Sequence, residues 1–191
     1  MRLRLFVALV AGLVALAAVS VAAAEMFRGT QGDDVIIGTF GNDRIHSFAG
    51  HDTIDAEGGD DRVHSGPGRD RVIAGGGNDL VRAGDGEDDL GGGAGNDLLR
   101  GQKNDDTLTG ADGDDHMWPG SGQDAQYGGE GNDRLHALAD DNQPDLLDCG
   151  PGDQDVAVIN RRERRFDRAV NCERVRYPLP TPAQAASEDD S

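Results

Sequence analysis

Twelve aspartates stand nine residues apart without a gap: Asp34, Asp43, Asp52, Asp61, Asp70, Asp79, Asp88, Asp97, Asp106, Asp115, Asp124 and Asp133. A carboxylate is a hard oxygen ligand, so a row of them on one period could bind a cation many times over. The same period orders the residues around each Asp. With nine positions counted from Gly29 and Asp at six, position four is Gly in eleven units and Asn104 in the other. Position eight is apolar in eleven (Ile36, Ile45, Ile54, Val63, Val72, Val81, Leu90, Leu99, Leu108, Met117, Leu135), with Gln126 the exception.

The elements that must position these carboxylates follow from the spacing. Gly at four and small neighbours permit a tight turn with positive φ. Position eight points inward while seven and nine point outward, because strand side chains alternate. One unit is thus a turn and a very short strand, which cannot bury a core alone. Two units make a flattened coil, and coils stack so that unit n lies beside unit n+2 in a parallel sheet. Stacking brings the Asp of neighbouring turns to the strand spacing of about 4.8 Å. Bare carboxylates at that distance repel, and a hard cation between turns, held by carboxylates and backbone carbonyls, relieves the repulsion. Oxygen ligands on a flexible Gly-rich turn suit calcium better than magnesium or zinc. A metal-free turn cap would not demand Asp at every unit, since Asn and Ser cap turns as readily.

The unit resembles the glycine-rich nonapeptide repeat, G-G-x-G-x-D-x-U-x, of the RTX (haemolysin-type) calcium-binding proteins. Ala74-Gly75-Gly76-Gly77-Asn78-Asp79-Leu80-Val81-Arg82 departs only in its first residue, and the likeness runs over residues 29–136. It implies a parallel β-roll with several Ca2+ ions between adjacent turns, about ten at full occupancy. Position two departs most. The early units, with Thr30, Thr39, Phe48 and Glu57 there, are expected to hold weaker sites.

Charge supports ion-coupled folding. The 191 residues carry a formal charge of -18 and only 4% aromatics, too few for an ordinary globular core. Residues 29–136 hold 23 acidic against 8 basic residues, a net of -15. Such a chain is expected to be loose without calcium and folded with it, and nucleic acid is not an expected partner.

Residues 1–24 read as a signal peptide: Arg2 and Arg4, an apolar run from Leu5 to Val19, and Ala22-Ala23-Ala24 before Glu25. The alternative is an uncleaved anchor; with cleavage, no stable membrane insertion is expected. Either way the repeats are expected outside the cytoplasm, secreted. Met26 and Phe27 are expected to plug the first coil. After His136 the period slips by three residues near Asp140-Asp141-Asn142-Gln143, and Leu147 resumes position eight. A last unit, Cys149 to Ala157, would put Gln154 at six and Val156 inward, its ion site degraded. Cys149 and Cys172, an isolated pair in an exported chain, are expected to form a disulfide, with free thiols or an intermolecular link as alternatives.

The expected organisation is all-β: a parallel β-roll (β-solenoid) of nine-residue repeats with a small disulfide-stapled C-terminal cap. The roll covers 25–158, regular over 29–136 and degenerate over 137–158; the cap covers 159–177, and a disordered tail 178–191. The arginines of 161–168 read as pairing with the acidic last coils, or as a polyanion patch.

Alternate units fall on opposite sheets, so one outer face collects Arg44, His46, Arg62, His64, Arg82, Arg100, His116, Trp118, Arg134 and His136. These are five of the repeats' eight basic residues, four of the chain's five histidines and its one tryptophan. That face could bind an anionic polysaccharide or cell-wall polymer, with guanidinium groups on acidic groups and Trp118 on a sugar ring. It could equally be a solvated face that discourages aggregation. His46 and His64 could hold zinc. No H-E-x-x-H or G-x-S-x-G occurs, and the chain is not expected to be an enzyme; a β-solenoid polysaccharide lyase or epimerase-like activity is the alternative. Ice binding would need a regular rank of Thr or Asn, and position three is irregular (Gln31, Phe40, Ala49, Gly58).

Overall fold

The computed structural model describes residues 24–178. All but the last residue of the proposed signal peptide and all but the first residue of the tail therefore lie outside the described residues. Seventeen short strands form two parallel sheets, one of nine strands and one of eight, and consecutive strands always belong to opposite sheets. The chain is an all-strand parallel β-solenoid of about eight turns, each built from two nine-residue units, as the period requires.

Register follows the repeat. In the eight-strand sheet Ile36, Ile54, Val72, Leu90, Leu108, Gln126 and Leu147 form one inward column. In the nine-strand sheet Phe27, Ile45, Val63, Val81, Leu99, Met117, Leu135, Ala157 and Val175 form the other. These columns, apart from Gln126 and from Val175, which is 39% exposed at the end of the roll, form the core with buried Ala56, Ala74, Ala83 and Cys149. Gln126 is fully buried at its inward position; its Nε2 donates to the His136 carbonyl at 3.0 Å, and its Oε1 has no partner.

From the third unit on, position two takes positive φ as position four does. Phe48, Glu57, Gln102 and Ala111 all stand at position two with φ between 73° and 100°, a region that L side chains enter at a cost of about 1–2 kcal/mol. Asn104, the substitute at position four, has φ 72°.

Three readings of the ends are corrected. Phe27 packs against the core, but Met26 does not plug the first coil: it pairs with Arg44 on the outer face, 55% exposed. In the last unit Asp155, not Gln154, takes position six, and Ala157, not Val156, points inward, because the turn after Cys149 is one residue longer. The ladders also continue past 158: Arg168–Val170 pairs with Leu146–Asp148, and Arg174–Arg176 with Val156–Ile159. Cys149 and Cys172 are joined in a disulfide.

Candidate metal centre

The Asp residues form two rows, one at each edge of the roll. Each backbone N–H donates to Oδ1 of the Asp one coil on. One row runs Asp34, Asp52, Asp70, Asp88, Asp106, Asp124, with donor–acceptor distances of 2.8–2.9 Å. The other runs Asp43, Asp61, Asp79, Asp97, Asp115, Asp133 at 2.6–2.9 Å. All twelve are buried. Sequence reasoning missed how far the rows run. Glu25 donates to Asp43, Asp124 to Asp145, Asp133 to Asp155, Asp145 to Asp167, and Asp155 to Glu173. Glu25 and Phe27 keep the nine-residue phase backwards from Gly29, a signal visible in the sequence.

The second carboxylate oxygen has no such partner. Oδ2 of Asp52, Asp61, Asp70, Asp79, Asp88, Asp97, Asp106, Asp115, Asp124 and Asp133 is buried and unpaired. A buried carboxylate oxygen without a donor or cation is costly. At Gly92, Gly101, Gly110 and Gly128 a Cβ would fall 2.1–2.3 Å from the Oδ2 of the unit's own Asp and 2.2–2.9 Å from a carbonyl oxygen one coil on. The nearest polar atoms to that space are acceptor oxygens, which fits a hard cation. Asp34 and Asp43 differ: Oδ2 accepts from the backbone N–H of Thr30 and Thr39 at 2.6 and 2.7 Å, and their hydroxyls lie 3.0–3.3 Å from the carboxylates. No group of three His, Cys, Asp or Glu side chains assembles as a metal cluster among the described residues. The rows run single file, with one position-six carboxylate per coil at each edge.

Burial pushes the carboxyls up against the partly offsetting N–H bond: Asp88 and Asp133 to about 6, Asp61, Asp97, Asp115 and Asp124 to about 7, and Asp106 to about 9. Proximity of neighbouring carboxylates adds to the shift. A bound divalent cation would supply the positive charge that favours the ionised form.

Position five is a comparison built into the chain. On one edge Asn42, Asp60, Asn78, Asn96 and Asp114 each accept, through Oδ1, the N–H of the residue one coil on at 2.8–3.0 Å. That exposed ladder uses Asn and Asp interchangeably. The buried ladder at position six makes the same kind of bond and is Asp throughout.

The nine-strand sheet brings Arg44, Arg62 and Arg134 into one outward column and His46, His64, Arg82, Arg100, Trp118 and His136 into the other. Arg28, Arg174 and Arg176 extend it at the two ends. No acidic residue occupies either column, and the ion pairs among the described residues, Arg69–Glu87, Arg71–Asp89, Lys103–Asp85 and Arg162–Asp140, all lie elsewhere. Arg100 sits 5.4 Å over the Trp118 ring, and Trp118 stacks on His136 at 4.5 Å. Burial lowers the pKa of His46 and His116, and that of His136 to about 4. His46 and His64 have ring centroids 4.8 Å apart, and no third such ligand joins them among the described residues.

A family model described as the RTX calcium-binding nonapeptide repeat matches the chain in four copies, over residues 28–63, 64–99, 91–125 and 127–143. No curated protein and no solved structure matches it. With the matched copies covering more than half of the sequence on stacked, acceptor-lined turns, this chain belongs to the RTX calcium-binding nonapeptide-repeat family.

Proposed function

We propose that this calcium-binding repeat protein is exported, that it folds on calcium outside the cell, and that it serves there as a structural or binding module. Asp52 to Asp133 in the two rows hold several Ca2+ ions with backbone carbonyls of adjacent turns. Asp34 and Asp43, whose oxygens already accept from Thr30 and Thr39, are the weakest sites. The observation that carries this reading is the run of buried, unpaired Oδ2 atoms at position six, which is Asp in all twelve units although the neighbouring position five exchanges Asp and Asn. An amide would satisfy both the ladder and the nearby carbonyls; a carboxylate is preferred only if a cation is present. The disulfide is compatible with an oxidising, extracellular setting.

Once the rows are neutralised, the arginines of the nine-strand sheet stand as a positive stripe across the strands. It suits an extended anionic polysaccharide or cell-wall polymer, held by guanidinium–carboxylate or guanidinium–phosphate contacts, with Trp118 against a sugar ring.

Far-UV circular dichroism during a calcium titration, with magnesium as control, tests the first part. A sharp coil-to-β transition in calcium alone is expected; a spectrum already β-rich in excess chelator would count against it. For the second, replacing Arg44, Arg62, Arg82 and Arg100 together by Gln should abolish retention on an anionic polymer, and unchanged retention would reject the stripe as a binding face. Depolymerisation of pectate or alginate by the folded protein would instead indicate a lyase.

A further inference from the structure

Beyond Asp133 the sequence leaves the nine-residue period, yet the carboxylate row on that edge continues. Asp133 N–H donates to Asp155 Oδ1 at 2.8 Å, and Asp155 N–H donates to Glu173 Oε2 at 2.8 Å. Asp155 is 0% exposed, and its Oδ2 is buried with no partner. The longer turn also changes what faces it. In the regular units the glycine beside the carboxylate is position one. Here it is Gly152, where a Cβ would fall 2.6 Å from both Asp155 oxygens and 2.1 Å from the Gly131 carbonyl oxygen. Acceptor oxygens border this space too, in an arrangement unlike the regular units. Glu173 is exposed and directly follows Cys172, which is bonded to the buried Cys149.

We propose that this last coil holds a divalent, oxygen-seeking cation of its own, calcium, through Asp155 with Glu173 beside it, and that the Cys149–Cys172 disulfide brings Glu173 to Asp155. The inference rests on the calcium reading of the rows and carries it to residues outside the matched repeats. The site lies out of phase with every nonapeptide and takes its second carboxylate from a segment 18 residues further on. That segment reaches the roll as a three-residue strand, Arg174–Arg176, so short an element that the covalent staple is what keeps Glu173 in place. Reduction should therefore release this ion before those of the regular rows.

Native mass spectrometry of the purified protein in calcium counts the ions directly. Asp155→Asn keeps an Oδ1 for the Asp133 N–H and removes the charge; Glu173→Gln changes only an exposed side chain. The wild type should carry one ion more than Asp155→Asn, and one more than the wild type after reduction, while Glu173→Gln should lose that ion at higher calcium than the wild type does. If Asp155→Asn does not fold, Glu173→Gln decides. Equal ion counts and equal calcium dependence in wild type and variants would overturn the site, with the regular rows still loaded. Loss in Asp155→Asn but not on reduction would overturn the role of the disulfide. A wild type that carries no calcium at all would overturn the reading of the rows themselves.

Discussion

The backbone N–H of Asp97 donates to Oδ1 of Asp115 at 2.8 Å, one coil further along the roll, while Asp97 Oδ2 is buried without a donor. Asn at 97 would keep an oxygen for Asp79 and place an amide N–H where Oδ2 now stands. Asp97→Asn should therefore act in opposite directions in two buffers. In chelator it removes an uncompensated buried charge and should stabilise the β form by roughly 1–3 kcal/mol. In calcium it removes a ligand and should shift the folding midpoint to higher calcium. The residual β signal in chelator and the calcium midpoint of folding, both read by circular dichroism, check this, and effects of equal sign in the two would count against a cation at this row.

The same carboxyls set a pH dependence. Those of Asp97 and Asp115 rise from 3.8 to about 7, and that of Asp106 to about 9, chiefly through burial. A carboxyl whose pKa is higher in the fold binds its proton more tightly there. Its contribution to calcium-free stability is complete below the unfolded value and is lost as pH rises through the folded one. The β signal in chelator should grow as pH falls from 8 to 5. In calcium the sign reverses: protons held by the calcium-free β form compete for the ligands, so the calcium midpoint should rise toward pH 5, with proton release on binding there, where the calcium-free form is folded and protonated. Circular dichroism at fixed pH values and a pH-stat titration measure the two effects.

Strain at position two makes a separate prediction about backbone. Ala111 has φ 89° and Gln102 φ 100°. Ala111→Gly and Gln102→Gly should each stabilise the calcium-loaded protein by about 0.5–1 kcal/mol, the left-handed penalty less the added entropy of glycine. Gly93→Ala should cost more than about 1 kcal/mol, because its Cβ would meet the Gly75 carbonyl oxygen at 1.9 Å. Urea denaturation in saturating calcium reads all three.

Trp118 is the chain's one tryptophan, and it lies between Arg100 and His136 from adjacent coils. Its contacts exist only when the coils are stacked, so its fluorescence should follow the same calcium midpoint as the β signal. In the folded protein an anionic polysaccharide at the stripe should shift its emission, and Trp118→Ala should weaken retention on the polymer by about 1–2 kcal/mol, the loss of one aromatic contact. An unchanged emission at saturating polymer would place the ligand elsewhere.

The architecture was legible because each level of the sequence repeats the same instruction. Gly or Asn104 at four makes the turn, an aliphatic residue at eight fills the inner column, and the period fixes which residues are neighbours one coil on. The phase was less legible at the ends. Glu25 and Glu173 replace Asp, and the extra residue near Gly152 moves Asp155 into position six, where the nine-residue count had put Gln154. In that region hydrogen bonding to the preceding coil decides the register, because Asp133 N–H requires an acceptor whatever the spacing.

By itself the sequence determined the parallel roll, its inner columns, the alternation of the two faces and the choice of Asp over Asn at position six. Short-range turn chemistry and side-chain alternation suffice for these. Tertiary structure decided which carboxylate oxygen is already satisfied and which is not, that Thr30 and Thr39 relieve the first two units, and how far the rows and the arginine stripe run. Those properties belong to pairs of coils rather than to one unit. A carboxylate is orphaned or paired only once the next turn has been stacked upon it.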